Sequence, residues 1–263
     1  MTKIAVVLPV YKADSPLLFD LAVKSILNQT VECHLFICQD GLLTNELNKL
    51  CDTYPKDRVS IIPYKENKGL PTVLNRGIRI ALKQGFKYIA RMDADDLSMK
   101  DRLGVQSDYL DKNTQIDVLG SNAILINEKG YNIGVKKVKE VVRFQDLKFN
   151  CDMIHPSVMF KSDFFQKFGF YDESLLKSQD YELWLRASKN GAVLRNLDQN
   201  LMYFRYESNL VGRRKKEQWY NISIKFKYLS LFEFIPGIIR HIFILICPER
   251  ILKWLLNKTQ ING

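Results

Sequence analysis

Asp93-Ala94-Asp95-Asp96 follows directly on the apolar run 86–92. A run of that kind reads as a buried strand, so the carboxylates emerge at its C-terminal end, where open α/β sheets bind their ligands. Two carboxylates one residue apart on a rigid strand tip can hold a hard divalent cation. Such a cation can neutralise a nucleotide diphosphate. Taken alone, the same residues also fit a solvated acidic turn or a helix N-cap, because Ser98 and Asp101 follow closely. The surrounding elements must decide.

Residues 4–10 are an apolar first strand, with Pro9 near its end marking where the backbone leaves the sheet. Leu17, Leu18, Leu21, Ala22, Ser25, Ile26 and Leu27 have helical spacing. A second strand, 34–38, runs into Gln39-Asp40-Gly41. A helix over 43–51, a strand over 59–63 and a helix over 69–81 lead to the strand that delivers the acidic motif. This βαβαβαβ alternation predicts a mostly parallel, Rossmann-like sheet flanked by helices, an α/β fold. Further on, 106–110 reads as helix, 118–126 with Glu128-Lys129-Gly130 as a hairpin, 155–160 as a short strand and 179–189 as a helix.

Four features fall on one edge of such a sheet: Pro9-Val10-Tyr11, Asp40-Gly41, Asn67-Lys68-Gly69 with Asn75-Arg76, and Asp93-Ala94-Asp95. Together they make a nucleotide pocket, in which a strand-end carboxylate can accept the imide N–H of a uracil. Asp40-Gly41 by itself is equally a turn. Asp180 heads an amphipathic helix, where Ser178 or Asp180 can serve as N-cap.

In this order, and with His155-Pro156-Ser157-Val158-Met159-Phe160 and Gln179-Asp180-Tyr181-Glu182-Leu183-Trp184, the chain resembles the family 2 glycosyltransferases over roughly residues 3–206. These are inverting enzymes with the A-type glycosyltransferase fold. Within the family it is most similar to bacterial enzymes of O-antigen and related surface-polysaccharide assembly, including β-1,3-galactosyltransferases acting on lipid-linked acceptors. The resemblance implies that Asp40 and the Pro9–Tyr11 backbone hold uracil, and that Lys68, Arg76 and Ala94 line the nucleotide-sugar site. Asp93 would support the ribose or the metal's water shell, and Asp95 would ligate Mn²⁺ or Mg²⁺. Asp180 falls where the family places its general base, with Glu182 as the competing carboxylate. His155 would touch the donor sugar or the acceptor, or else cap a loop. Trp184 would wall the acceptor by stacking on a sugar face, or else belong to the core. Many relatives carry a His two residues after the Arg of a Tyr-Arg-x-His segment. Phe204-Arg205-Tyr206-Glu207 puts Glu207 there, an oxygen ligand that a hard cation accepts. The Gln-x-x-Arg-Trp motif of polymerising relatives is absent, so one sugar per encounter is expected.

The 263 residues suffice for one substantial core. The expected partition is a catalytic domain 1–206, with a nucleotide-binding half 1–102 and an acceptor-binding half 103–206, followed by a tail 207–263. Of the net charge of +10, residues 205–263 supply eleven basic and four acidic side chains, hence +7. Basic clusters at Arg213-Arg214-Lys215-Lys216 and at Lys225 and Lys227, mixed with apolar residues, fit an amphipathic helix on an anionic membrane surface. They fit equally a helical pair packed on the core with a solvated basic face. No nucleic-acid-binding motif accompanies the charge. Five scattered cysteines without metal spacing read as free thiols. With no signal-peptide pattern at residues 4–10, the expected location is cytoplasmic, peripheral on the inner face of the cell membrane.

The expected activity is therefore inverting, metal-dependent transfer of a hexose from a UDP-sugar to a lipid-linked oligosaccharide. Galactose in a β-1,3 linkage is the first expectation and glucose the second. A sugar-1-phosphate nucleotidylyltransferase would need a glycine-rich loop that Leu8-Pro9-Val10-Tyr11 lacks. An inactive membrane-bound scaffold of polysaccharide assembly is the non-enzymatic alternative.

Overall fold

A computed structural model describes residues 3–206, 210–247 and 251. Four parallel strands form its first half: β1 (Ile4–Val10), β2 (Cys33–Gln39), β3 (Val59–Ile62) and β4 (Tyr88–Arg91). They alternate with α1 (Pro16–Leu27), α2 (Asn45–Thr53) and α3 (Leu70–Lys83). All seven residues of β1 are buried. Helices cover both faces of a parallel sheet, which is why its strands read as unbroken apolar runs. α1 begins where Ser15 Oγ accepts a hydrogen bond from Leu18 N and Pro16 occupies the first turn. It buries Phe19, Ala22, Val23 and Ile26 against the sheet.

The second half adds β5 (Leu97–Ser98), α4 (Arg102–Lys112), β6 (Val118–Ile126), β7 (Asn132–Lys136), β8 (Val141–Val142), α5 (Phe144–Leu147), β9 (Met159–Lys161), α6 (Phe164–Phe168), α7 (Gln179–Lys189) and β10 (Leu194–Arg205). The strand order is β3-β2-β1-β4-β9-β6-β10-β5, with β7 on β6 and β8 on β10. β9 runs antiparallel between β4 and β6, while β6 and β10 are parallel to each other. One mixed, mostly parallel sheet thus spans both halves. One face packs Phe19, Ile26, Leu35 and Leu103; the other packs Phe36, Leu74, Phe160 and Trp184.

Three local expectations change. The backbone stays in the sheet at Pro9, which pairs with Cys38, and β1 ends only at Val10. The missing N–H is tolerated because pairing with β4 stops at Val7–Arg91, so no strand faces the proline on that side. Residues 155–157 form a 3₁₀ turn, and only 159–161 are strand. Ser157 Oγ closes that turn on Ile154 O at 2.7 Å and accepts from Ser121 N. β10 has no counterpart in the sequence reading.

α8 (Leu210–Tyr228) and α9 (Leu231–Ile246) pack on each other, and α8 packs on α7. Lys225, expected in a solvated or lipid-facing basic cluster, is instead buried. Its Nζ donates to Lys148 O and to Gly237 O, the latter at 2.7 Å, and lies over the Tyr181 ring. Two carbonyls and an aromatic face replace its water. Lys227 is exposed, 3.7 Å from Asp172. Among the described residues, no helix is long and apolar enough to cross a membrane.

α3 lies close on the sheet because Gly77 has no side chain: a Cβ there would fall 2.5 Å from Cys38 Sγ and 2.8 Å from Val7 Cγ1. A Gly77→Val substitution is expected to cost about 1–3 kcal/mol of unfolding free energy through overpacking. Urea denaturation checks this, and an unchanged midpoint would contradict the close approach.

Candidate active site

The acidic motif continues the two-residue alternation of β4. Met92 and Ala94 belong to the core beside β1, while Asp93 lies on the same side as Arg91, with which it forms an ion pair. Asp93, Asp95 and Asp96 each offer a carboxylate oxygen within 4.8 Å of the others. Asp96 is buried, accepts a hydrogen bond from Arg205 N at 2.7 Å through Oδ1, and has no partner for Oδ2. Burial, reinforced by the charges of Asp93 and Asp95, holds its carboxyl well above the ordinary range. Arg205 also donates to Asp95 O at 2.8 Å and to the carbonyls of Asn127 and Glu128. β10 thereby clamps the acidic turn from outside.

An all-oxygen donor set with one orphaned carboxylate oxygen fits a hard cation such as Mn²⁺ or Mg²⁺. Asp95 and Asp93 are the half-buried members that would hold it. Glu207, the expected third ligand, lies outside the described residues. A fourth carboxylate was missed by sequence reasoning. Asp14 follows β1, accepts from Tyr11 N at 2.8 Å, and is pushed up to about 6, chiefly by burial and further by Asp95 and Asp93. Tyr11 itself is exposed.

On the nucleotide side, Asp40 Oδ1 accepts from Lys68 N at 2.6 Å and Gly69 N at 3.1 Å, tying the end of β2 to the loop before α3. Gly41 is required beside it: its φ is +87°, and a Cβ would meet Asn67 N at 2.9 Å. Lys68 and Arg76 line a shallow cleft with Pro63, Tyr64, Lys65 and Glu66. The Lys68 ammonium pairs with Glu66, and Arg76 donates to Pro63 O while lying over the Tyr64 ring. Asn75 of the same motif does something else. Its side chain bonds Tyr171 O, Tyr171 N and Glu173 Oε1, fixing the segment that leads into α7.

Asp180 stands in the first turn of α7, entered through Ser178 at φ +58°, a left-handed conformation unusual for serine. Burial raises the Asp180 carboxyl above its ordinary value, while backbone N–H groups, Arg91 and Lys136 pull it back. Glu182 turns away, as expected for a residue two further along a helix: it is buried and bonded to Arg186 and Tyr228 Oη. Arg186 likewise serves the fold, donating to the carbonyls of Phe168 and Phe170.

Trp184 is not an acceptor wall. It is fully buried and stacked on Phe160 with ring centroids 5.5 Å apart, so neither face is open to a sugar. His155 is buried against it, with Nε2 2.7 Å from Tyr171 Oη, and burial together with Arg91 holds the imidazole well below its ordinary value. It is a neutral ring whose Nε2 is occupied within the protein. The acidic turn, Arg91, Tyr171 and Asp180 thus gather at the end of β4, whereas Lys68 and Arg76 line the separate cleft.

The mixed α/β sheet, with a carboxylate cluster at one strand end and a carboxylate at the start of α7, has the A-type glycosyltransferase fold. The chain belongs to glycosyltransferase family 2: residues 5–173 match the Glycosyl transferase family 2 model. It is 31% identical to an uncharacterized glycosyltransferase of Methanocaldococcus jannaschii, over 92% of this chain and 90% of that protein. It is 28% identical to the UDP-Gal:alpha-D-GlcNAc-diphosphoundecaprenol beta-1,3-galactosyltransferase of Escherichia coli, over 98% and 96% respectively. Among solved structures, the Pyrobaculum calidifontis mannosyltransferase PcManGT, in complex with GDP-Man and Mn²⁺, superposes with a TM-score of 0.66 at 11% identity, covering 98% of this chain and 75% of that one.

The folded state binds the Asp14 proton more tightly than the unfolded chain, so its contribution to stability is present at low pH and lost as pH rises through about 6. In metal-free protein, Asp14→Asn is expected to be more stable than wild type at pH 8 by about 1–3 kcal/mol, with the gap closing by about pH 4. Paired thermal melts across that range check it; a gap independent of pH would contradict the assignment.

Proposed function

We propose that this glycosyltransferase moves a hexosyl unit from a UDP-sugar to a lipid-diphosphate-linked oligosaccharide, with inversion, in surface-polysaccharide assembly. Galactose in a β-1,3 linkage is the first reading, supported by the likeness to the Escherichia coli enzyme over nearly all of both chains. Glucose is the second. The observation that supports the reading is that Asp93 and Asp180 share Arg91, which pairs with the first and acts electrostatically on the second.

In this reading Asp40 and the backbone of Pro9, Val10 and Tyr11 hold the uracil, and Asp93 holds the ribose. The acceptor hydroxyl oxygen attacks the anomeric carbon in line as the bond to the UDP oxygen breaks, and Asp180 takes the hydroxyl proton. A divalent cation held by Asp95 and Asp93, with Glu207 as a further oxygen ligand, would offset the charge on the departing diphosphate. Since Asp180 works as a base, its raised value moves the acid limb of kcat/KM above the ordinary carboxylate range.

The deciding experiment is UDP release with Mn²⁺, screening UDP-galactose and UDP-glucose against a GlcNAc-diphosphate-lipid analogue. Release that requires one donor, the acceptor and the metal is expected. Asp180→Asn should lower kcat by about 10²–10⁴ while sparing UDP binding. Asp95→Ala should remove the metal dependence together with the activity. UDP binding without release would point to another donor or acceptor, and no UDP binding would favour the scaffold.

For the membrane partner, the support is an apolar face on α9. Leu231, Ile235, Ile239 and Ile246 are exposed at helical spacing, and Phe232 is 90% exposed. The tail that carries this face, 207–263, has ten basic and four acidic side chains, hence a net charge of +6, complementary to an anionic cytosolic leaflet. Full-length protein should sediment with phosphatidylglycerol vesicles, and Phe232→Glu with Ile239→Glu should cut the bound fraction by about tenfold or more. Unchanged binding would overturn the lipid assignment. So would a dimer dispersed by the same substitutions, because the face would then belong to a second copy.

A further inference from the structure

Among the described residues three arginines are buried, and two of them are held by several hydrogen bonds within the protein. Arg102, fully buried, donates to Gln106 Oε1 at 3.1 Å and to Arg91 O at 2.8 Å. Arg205 serves three carbonyls on the far side of the acidic turn. Arg91 is different. It is only 3% exposed, its Nε has no hydrogen-bond partner among the described residues, and it forms an ion pair with Asp93. A buried cation with donors to spare is costly, and persists where a ligand completes it.

Its surroundings say where that ligand lies. Arg91 pairs with Asp93 on β4 and acts electrostatically on Asp96, on His155 and Tyr171, and on Asp180 of α7. It therefore lies against the acidic turn and within electrostatic reach of Asp180, the neighbourhood a transferred sugar must occupy if the function proposed above holds. A diphosphate would demand net positive charge, but Asp93 already neutralises Arg91. What the pair offers is directional: guanidinium N–H groups that donate, next to a carboxylate that accepts. A hydroxyl can do both, so a polyol matches the pair better than an anion does.

We propose that Arg91 binds the transferred hexose itself, donating hydrogen bonds to its hydroxyl oxygens and holding the anomeric carbon between the acidic turn and Asp180. The inference rests on the proposed UDP-sugar donor. It assigns Arg91 to the sugar and not to the nucleotide, so UDP and UDP-sugar must respond differently when it is changed.

The test is calorimetric titration of full-length protein in Mn²⁺ with UDP, and with UDP-galactose and UDP-glucose. Arg91→Met should weaken binding of the sugar nucleotide that wild type prefers by about 10- to 100-fold, as expected for lost hydrogen bonds from a charged donor. It should weaken UDP binding clearly less, by several-fold at most, since the loss there comes only through the unpaired Asp93. Arg91→Lys keeps the charge beside Asp93 without the planar fork, and should fall between Met and wild type. Retained UDP binding reports that each variant is folded. An equal loss of UDP and UDP-sugar affinity in the folded Arg91→Lys protein would overturn the proposal in favour of a nucleotide or purely structural role. So would unchanged affinity for both in Arg91→Met. Wild type that binds UDP but discriminates no sugar nucleotide from it would also overturn it, leaving the nucleotide assignment intact. Wild type that binds neither would bring down the donor reading and this inference together.

Discussion

Three carboxylates within 4.8 Å at one strand end repel each other, and the most buried of them, Asp96, cannot relieve this by turning to water. Such a cluster survives only if the surrounding chain over-determines it. Arg91 holds Asp93 from within the strand, and Arg205 holds the turn from β10, reaching Asp96 through its N–H and Asp95 through its guanidinium. This constraint gives the second half of the fold a purpose. β10 crosses to the far side of β6 and pairs Met202 with Ser98, so the edge strand β5 is pinned immediately after the acidic turn. Much of the chain beyond residue 102 serves as a frame that keeps like charges together.

The parallel half of that frame was legible because burial on both faces leaves an unambiguous signature. Residues 4–10 and 35–38 are apolar throughout, and each run is followed by a helix. β10 was illegible for the converse reason. Asn196, Asp198, Gln199 and Asn200 interrupt its alternation, and the strand accommodates them with two irregularities in its pairing to β6. Asn196 is buried and bonds Lys139 O and Asp152 O, so its polarity serves the loop beside the site. A buried polar strand residue cannot be told from a loop residue without knowing its partners.

The site divides along the same line. Asp93, Asp95 and Asp180 stand out as candidates in the sequence because acidic residues at element ends are conspicuous and the order of motifs is specific. Asp14 and Arg91 were missed, although Arg91 lay in view two residues before Asp93, on the same side of a strand by simple alternation. A basic residue inside an apolar run is itself a signal, since a strand interior excludes charge unless something pairs with it. Trp184 shows the opposite error. A large aromatic near a sugar site invites a stacking role, yet α7 is buried around most of its circumference, and the tryptophan is buried with Leu183, Leu185 and Ala187.

The composition of the tail leaves a helix on a membrane surface and a helical pair packed on the core both open, and its packing shows why composition alone does not decide there. Lys225 and Tyr228 both lie on the side of α8 that meets the catalytic body: one spans the Tyr181 ring, and the other bonds Glu182. Lys189 of α7 returns a bond to Tyr228 O at 2.6 Å. These contacts grip the residues next to Asp180 from behind, where the helix would otherwise be free to rock. An amphipathic tail can therefore carry two roles on two faces. Its polar and aromatic residues stiffen the helix that bears the candidate base, and that inward packing leaves the large aliphatic side chains of α9 on the outside.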